Sequence, residues 1–256
     1  MEAPIGGPML IIRRRECGAA IFDLDGVLTD TARLHAAAWR TVFDDLLRRR
    51  ASRGGEPFRP FDLEADYLAY VDGRPREDGI RTFLGSRGIA LPEGGGTEPD
   101  DAETVQAIGR RKTALFLEEL RRGIAPAPGA VPLLQALRRS GIAIAVATSS
   151  RNGAAILEAA ALDGLIDLRV DGLVASQLGL PGKPDPALFL EAARRLGVAP
   201  SRAVLFEDAL AGVAAGRRGG FRCVVGIGHD RQREALLRHG ADIVIESLQQ
   251  VEVLDR

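Results

Sequence analysis

The sequence predicts an α/β chain: a parallel sheet flanked by helices, with a separate block of helices inserted after the first strand. Three observations predict it. From residue 142 onward, short apolar runs alternate with helical patterns of about ten residues. Several of those runs stop abruptly at polar residues. Between Thr31 and about Ala125 the periodicity is helical, with no convincing strand.

In chain order, Ala19–Phe22 has the apolar character of a buried parallel strand and ends at Asp23, Asp25 and Gly26. About eighteen residues precede this first strand. Leu34, Ala37, Ala38, Thr41, Val42 and Leu46 then recur at helical spacing. Gly- and Pro-rich loops at Ser52–Pro60 and Leu91–Pro99 interrupt the helical block, and Pro126-Ala127-Pro128-Gly129 reads as its return linker. The expected division is therefore a catalytic core of residues 1–30 and 126–256 and a helical cap of residues 31–125. Strands are expected at Ile142–Ala147, Ile166–Val170, Ala203–Phe206 and Arg222–Val225, with a last edge strand at Ile243–Ile245. Helices are expected at Asn152–Ala160, Pro186–Leu196 and Ala209–Arg217. The basic run Arg48, Arg49, Arg50 and Arg53 reads as a solvated helix end favoured by the macrodipole.

Composition narrows the function classes. Hydrophobic residues form 46% of the 256-residue chain, enough for a sizeable core, while aromatics at 5% leave little for base stacking. With 34 basic against 35 acidic residues the net charge is −1, which argues against nucleic acid or an anionic membrane as the main partner. Cys17 and Cys223 form no disulfide framework or zinc-binding spacing. Pro8–Ile12 is too short for a signal-peptide core and runs into Arg13–Arg15, and no run approaches the ~20 apolar residues of a membrane span. A cytoplasmic protein without an obligate protein partner is expected.

The chemistry-bearing residues fall at strand ends. Asp23 and Asp25, in Phe22-Asp23-Leu24-Asp25-Gly26, project to one side where open α/β sheets bind ligands. Paired carboxylates repel unless a cation offsets them, and magnesium is served by one or two carboxylates beside phosphate and water. Alone, the segment could also be a turn between strand and helix, since Asp and Gly populate turns anyway. Thr148, Ser149 and Ser150 bring hydroxyls and backbone N–H groups to a helix start, which suits a phosphate oxygen or simply an N-cap. Lys183, between Gly182 and Pro184, would offset a nucleophile's charge or decorate the surface, and Glu207 and Asp208 end a further strand.

The order of these four motifs along one parallel sheet resembles the haloacid dehalogenase-like superfamily of phosphatases and phosphomutases, from Ala19 to about Val244. The resemblance implies a Rossmann-like core. It further implies Asp23 as the nucleophile that forms an aspartyl-phosphate, Asp25 as the general acid/base, and Thr148 and Lys183 holding the transferring phosphoryl group. A Mg2+ site would be built from Asp23, the Asp25 backbone carbonyl and Asp208, with Glu207 as ligand or support. This suits phosphoryl transfer, in which positioning and charge neutralisation supply most of the catalysis.

Within the superfamily the cap is similar to that of the β-phosphoglucomutases. Thr31, His35 and Trp39 lie four residues apart on one helix face, followed by Gly73-Arg74-Pro75-Arg76-Glu77-Asp78-Gly79 and Arg111-Lys112. That similarity implies a small phosphorylated sugar as substrate. Arg76 in the cap, with Arg74 as a neighbouring candidate, and Ser150, Arg151 and Asn152 in the core would bind its second phosphate; Ser149 belongs to the same loop. His35 and Lys112 would contact the sugar or orient Asp25, with Thr31 nearby. Trp39 reads as cap core. Interconversion of β-glucose 1-phosphate and glucose 6-phosphate is the leading activity; the alternative is a sugar-phosphate phosphatase. A metal-independent dehalogenase is disfavoured by Asp25, Glu207 and Asp208, a silent binding module by the complete motif set, and a nucleotide-dependent dehydrogenase by the lack of GxGxxG after the first strand. Three departures from the mutases stand out: extra residues near Arg48–Asp66 and Gly94–Asp101, the residues before the first strand, and Thr113 where an amide is familiar.

Overall fold

The computed structural model describes residues 9–54 and 57–255. Pro8 of the apolar stretch and Gly55 and Glu56 of the first cap loop lie outside the described residues. The elements run β1 (Leu10–Arg13), β2 (Ala19–Phe22), α1 (Ala32–Gly54), α2 (Arg76–Ser86), α3 (Val105–Leu120), α4 (Ala130–Arg139), β3 (Ala143–Ala147), α5 (Gly153–Ala159), β4 (Leu168–Val170), α6 (Gly172–Leu178), α7 (Ala187–Leu196), β5 (Ala203–Glu207), α8 (Leu210–Arg218), β6 (Cys223–Ile227), α9 (Asp230–His239), β7 (Ile243–Ile245) and β8 (Val251–Leu254). Two compact units result: the described residues up to Asp30 with those from Ile124 onward, and Thr31–Gly123.

In the first unit six parallel strands lie in the order β4-β3-β2-β5-β6-β7. The chain places β3 and β4 on one side of β2 and β5, β6 and β7 on the other. The order therefore reverses at β2, and the crevice beyond its carboxyl end is where such sheets bind ligands. All four β2 side chains are buried, and Phe22 stacks on Phe206 of β5 with ring centroids 4.5 Å apart. Helices cover the sheet through apolar stripes such as Leu188, Phe189, Ala192 and Ala193 of α7.

The second unit is helical among its described residues. Trp39, Val42, Phe43 and Leu46 of α1 pack with Phe61, Ile80, Phe83 and Ile108. Trp39 is 5% exposed and stacks on Phe43, as a core residue does. Thr104 caps α3 by accepting the Ala107 N–H at 3.1 Å. Among the described residues no helix is long and apolar enough to cross a membrane.

Several details depart from the sequence reading. Part of the segment before Ala19 forms β1, which pairs in parallel with β8, so Ile243–Ile245 is not the last strand. Each is four residues long and its partner lies at the far end of the chain, so nothing local signals the pairing. Helices α4, α6 and α9 also lie outside that reading. Pro132 sits in the first turn of α4, where proline is tolerated but reads as a breaker. Helix α6 is short and started by Asp171, and α9 buries only Leu236. The basic run of α1 is not a simply solvated end: Arg50 and Arg53 pair with Glu103, Arg49 with Asp45, and Arg48 with Asp44.

Candidate active site

Asp23 directly follows β2, and its N–H donates to the Phe206 carbonyl at 2.9 Å, which extends the ladder one residue beyond the strand. The next strand, β5, ends in Glu207, so two acids from neighbouring strands meet at the same sheet edge. Both are buried, as is Lys183, whose ammonium donates to Asp23 Oδ1 at 2.7 Å and to Glu207 Oε1. The Asp23 carboxylate also accepts the Asp25 N–H on Oδ2 at 3.0 Å. Glu207 has its second oxygen engaged as well, accepting the Ala209 N–H at 2.6 Å.

The protonation pattern follows from burial. Loss of water pushes the Asp23 carboxyl above its ordinary range; Lys183 draws it back and the Asp25 carboxylate raises it again. Glu207 is raised by burial to about 7, against the opposing pull of Lys183. For Lys183 burial disfavours the charge, but Asp23 and Glu207 outweigh it and hold the ammonium above the usual lysine range. The result is one buried cation clamped between two buried acids, with Asp25 beside them.

Gly26 brings in the remaining acid. Its φ of 84° is a left-handed conformation, and a Cβ there would collide with the Asp208 carboxylate. The turn after β2 thus lies against Asp208, and only glycine allows the approach. Among the described residues no three acids, histidines or cysteines form a closed ligand cluster. Asp23, the Asp25 backbone and Asp208 are nevertheless oxygen donors of the kind magnesium takes, which needs one or two carboxylates with the rest supplied by phosphate and water.

On the other side of β2, the β3 strand runs into Thr148. Its hydroxyl donates to Asp25 Oδ2 at 3.3 Å and accepts the Ser150 N–H at 3.0 Å. The Ser150 hydroxyl in turn accepts the Asn152 N–H at 3.2 Å, so residues 148 to 152 form a tight loop just before α5. Ser149 and Arg151 belong to that loop. The core motifs are therefore brought together at one sheet edge.

The cap residues form a second cluster within their own unit. Thr31 is buried and its carbonyl accepts the His35 N–H at 2.9 Å. His35 stacks on Phe116 at 4.0 Å and meets the Lys112 ammonium through Nδ1, while that ammonium lies 5.0 Å from the Trp39 ring centroid. Arg76 lies at the start of α2 and is held on α3: Nη1 donates to the Gly109 carbonyl at 3.2 Å and to Thr113 Oγ1 at 2.9 Å. Thr113 thus supplies the polar contact where an amide is familiar. Glu77, absent from the sequence-based site, accepts from Arg76 Nη2 at 2.6 Å and from Nε at 3.1 Å. An acid beside an arginine at a helix start is the signal in the sequence, but it is easily taken for ordinary first-turn charge.

Comparison with known proteins bears on the family and the fold. A family model described as haloacid dehalogenase-like hydrolase matches residues 17–220. A β-phosphoglucomutase of Mycobacterium bovis is 49% identical over 234 residues, covering 90% of this chain and 89% of that protein. Among solved structures, a β-phosphoglucomutase from Clostridium difficile superposes with a TM-score of 0.72 at 25% identity, covering 92% of this chain and 93% of its own. CbbY from Rhodobacter sphaeroides, in complex with xylulose-(1,5)-bisphosphate, superposes with a TM-score of 0.70 at 27% identity, covering 93% and 97%. The six-stranded parallel core with its inserted helical cap is the fold these proteins share. The chain belongs to the haloacid dehalogenase-like hydrolase family, in its β-phosphoglucomutase-like branch, and is an enzyme of that superfamily.

Proposed function

We propose that the chain catalyses magnesium-dependent phosphoryl transfer through an aspartyl-phosphate on Asp23, interconverting β-glucose 1-phosphate and glucose 6-phosphate in the cytoplasm. The observation that carries the chemistry is the buried Asp23–Lys183–Glu207 clamp next to a turn pressed on Asp208. The 49% identity to a β-phosphoglucomutase supports the choice of sugar.

Asp23 attacks phosphorus with a carboxylate oxygen, and its plane is fixed by Lys183 on Oδ1 and the Asp25 N–H on Oδ2. Lys183 offsets the charge of nucleophile and phosphoryl oxygens, and Glu207 holds Lys183 in place and serves the Mg2+ site as ligand or support. Asp25, steadied by Thr148, gives a proton to the leaving oxygen and takes one from the next acceptor. Thr148 and the loop amides also face the transferring group. Asp23, Asp208 and the Asp25 carbonyl would hold Mg2+, which when bound neutralises phosphate charge. Arg76 with Ser149, Ser150, Arg151 and Asn152 are assigned to the second phosphate, and Thr31, His35 and Lys112 to the sugar and to Asp25. Closure of a cap excludes water from the acyl phosphate, which a mutase needs and a phosphatase does not.

The purified enzyme, given β-glucose 1-phosphate, magnesium and a trace of the 1,6-bisphosphate, is expected to form glucose 6-phosphate and to lose that activity in EDTA. Free phosphate without glucose 6-phosphate would replace the mutase by a sugar-phosphate phosphatase on the same scaffold. EDTA-resistant turnover would remove the metal from the proposal. Arg76→Ala is expected to lower kcat/KM for β-glucose 1-phosphate by roughly 100-fold or more, as expected for loss of a bidentate phosphate contact. Turnover of small aryl phosphates should fall far less; equal losses on both would reduce Arg76 to a structural role.

A further inference from the structure

We propose that Glu77 is an intramolecular stand-in for phosphate, occupying the guanidinium edge of Arg76 that the substrate's second phosphate must take. This rests on the assignment of Arg76 to that phosphate. The geometry leaves one edge for an anion. Arg76 Nη1 is committed to α3 through the Gly109 carbonyl and Thr113 Oγ1. The guanidinium lies so close to the α3 backbone that a Cβ on Gly109 would come within 2.7 Å of Nε. The remaining Nε/Nη2 edge is the fork that carboxylates and phosphates share, and a single oxygen of Glu77 bridges both of its donors.

Two features separate this from an incidental surface pair. Neighbouring residues on a helix do not normally face each other, so Arg76 and Glu77 meet only because both side chains turn to the same side at the first turn. Their side chains are 15% and 18% exposed, so solvent screens the pair far less than an exposed one. Arg76 is therefore a half-buried cation already paired, and an incoming anion has to displace a carboxylate. A phosphate dianion has the charge and the oxygens to do so, whereas a carboxylate metabolite gains nothing by the exchange. Glu77 thereby sets a threshold that selects phosphorylated sugars, at a cost in affinity.

The test is a KM-against-kcat split. Glu77→Gln removes the charge but keeps the shape. It is expected to lower KM for β-glucose 1-phosphate roughly 5- to 30-fold, the scale of one partly buried charge-assisted hydrogen bond, with kcat changed less than about twofold. Arg76→Ala raises KM, and in that background Glu77→Gln lowers KM far less than it does in the parent, because its main effect runs through Arg76. Titration calorimetry with glucose 1,6-bisphosphate on an Asp23→Asn background should give the same ordering of Kd. An unchanged or raised KM in Glu77→Gln, with Arg76→Ala still impaired, overturns the stand-in and leaves Arg76 as the phosphate ligand. An Arg76→Ala enzyme with unaltered KM overturns both.

Discussion

Asp23→Asn is expected to lower kcat by at least about four orders of magnitude, the scale seen when a covalent nucleophile is removed. The amide oxygen cannot form the acyl phosphate. It can still accept the Lys183 N–H now received by Oδ1 at 2.7 Å, while the amide NH2 in place of Oδ2 gives up the bond from the Asp25 N–H. Burial and the neighbouring Asp25 carboxylate both disfavour a charged Asp23, and the amide removes that burden. The variant should therefore be folded, with thermal stability close to that of the parent. Turnover of β-glucose 1-phosphate and a melting curve check the two halves together. A rate within tenfold of the parent would make some other group the nucleophile and remove the basis of the mechanism.

Lys183→Met is expected to be the most destabilising single change at the site. Methionine approximates the length of the stem but leaves Asp23 and Glu207 facing each other in the interior without their cation. Removing one partner of a buried ionic group costs about 3–5 kcal/mol. The loss should depend on pH. Without the ammonium, both carboxyls titrate further above their ordinary values of 3.8 and 4.5 than they do in the parent. Across that window the folded state binds more protons than the unfolded chain, so stability is retained at low pH and falls as pH rises. Urea unfolding in the presence of EDTA, so that no cation takes the place of the lysine, should show a larger deficit at pH 8 than at pH 5.5. A deficit below about 1 kcal/mol, equal at both pH values, would mean that the three groups do not share one buried site.

Much of this was legible in the sequence because the signals are local. The β2 run Ala19–Phe22 is four apolar residues that terminate in acids, and the strands at Ala143–Ala147 and Ala203–Glu207 repeat that pattern with a hydroxyl and an acid at their ends. The alternation of such runs with helices implies a parallel sheet, and a parallel sheet puts all those ends on one edge. What stayed hidden depends on distance along the chain or on side-chain direction. The β1–β8 pair joins opposite ends of the chain. Arg50 and Arg53, which read as solvated charge, find Glu103 some fifty residues away.

The sequence by itself pointed to the kind of chemistry, since acids and hydroxyls at strand ends are consequences of residue type and order; Lys183 lies instead in the loop between α6 and α7. Only the tertiary structure decided how those groups divide their work. It turned one oxygen of Glu77 onto the Nε and Nη2 donors of Arg76, and it engaged both oxygens of Glu207 so that this acid steadies Lys183. The physical reason is that burial makes each charge depend on whichever group lies within hydrogen-bond reach, and reach across a fold is set by packing rather than by spacing along the chain.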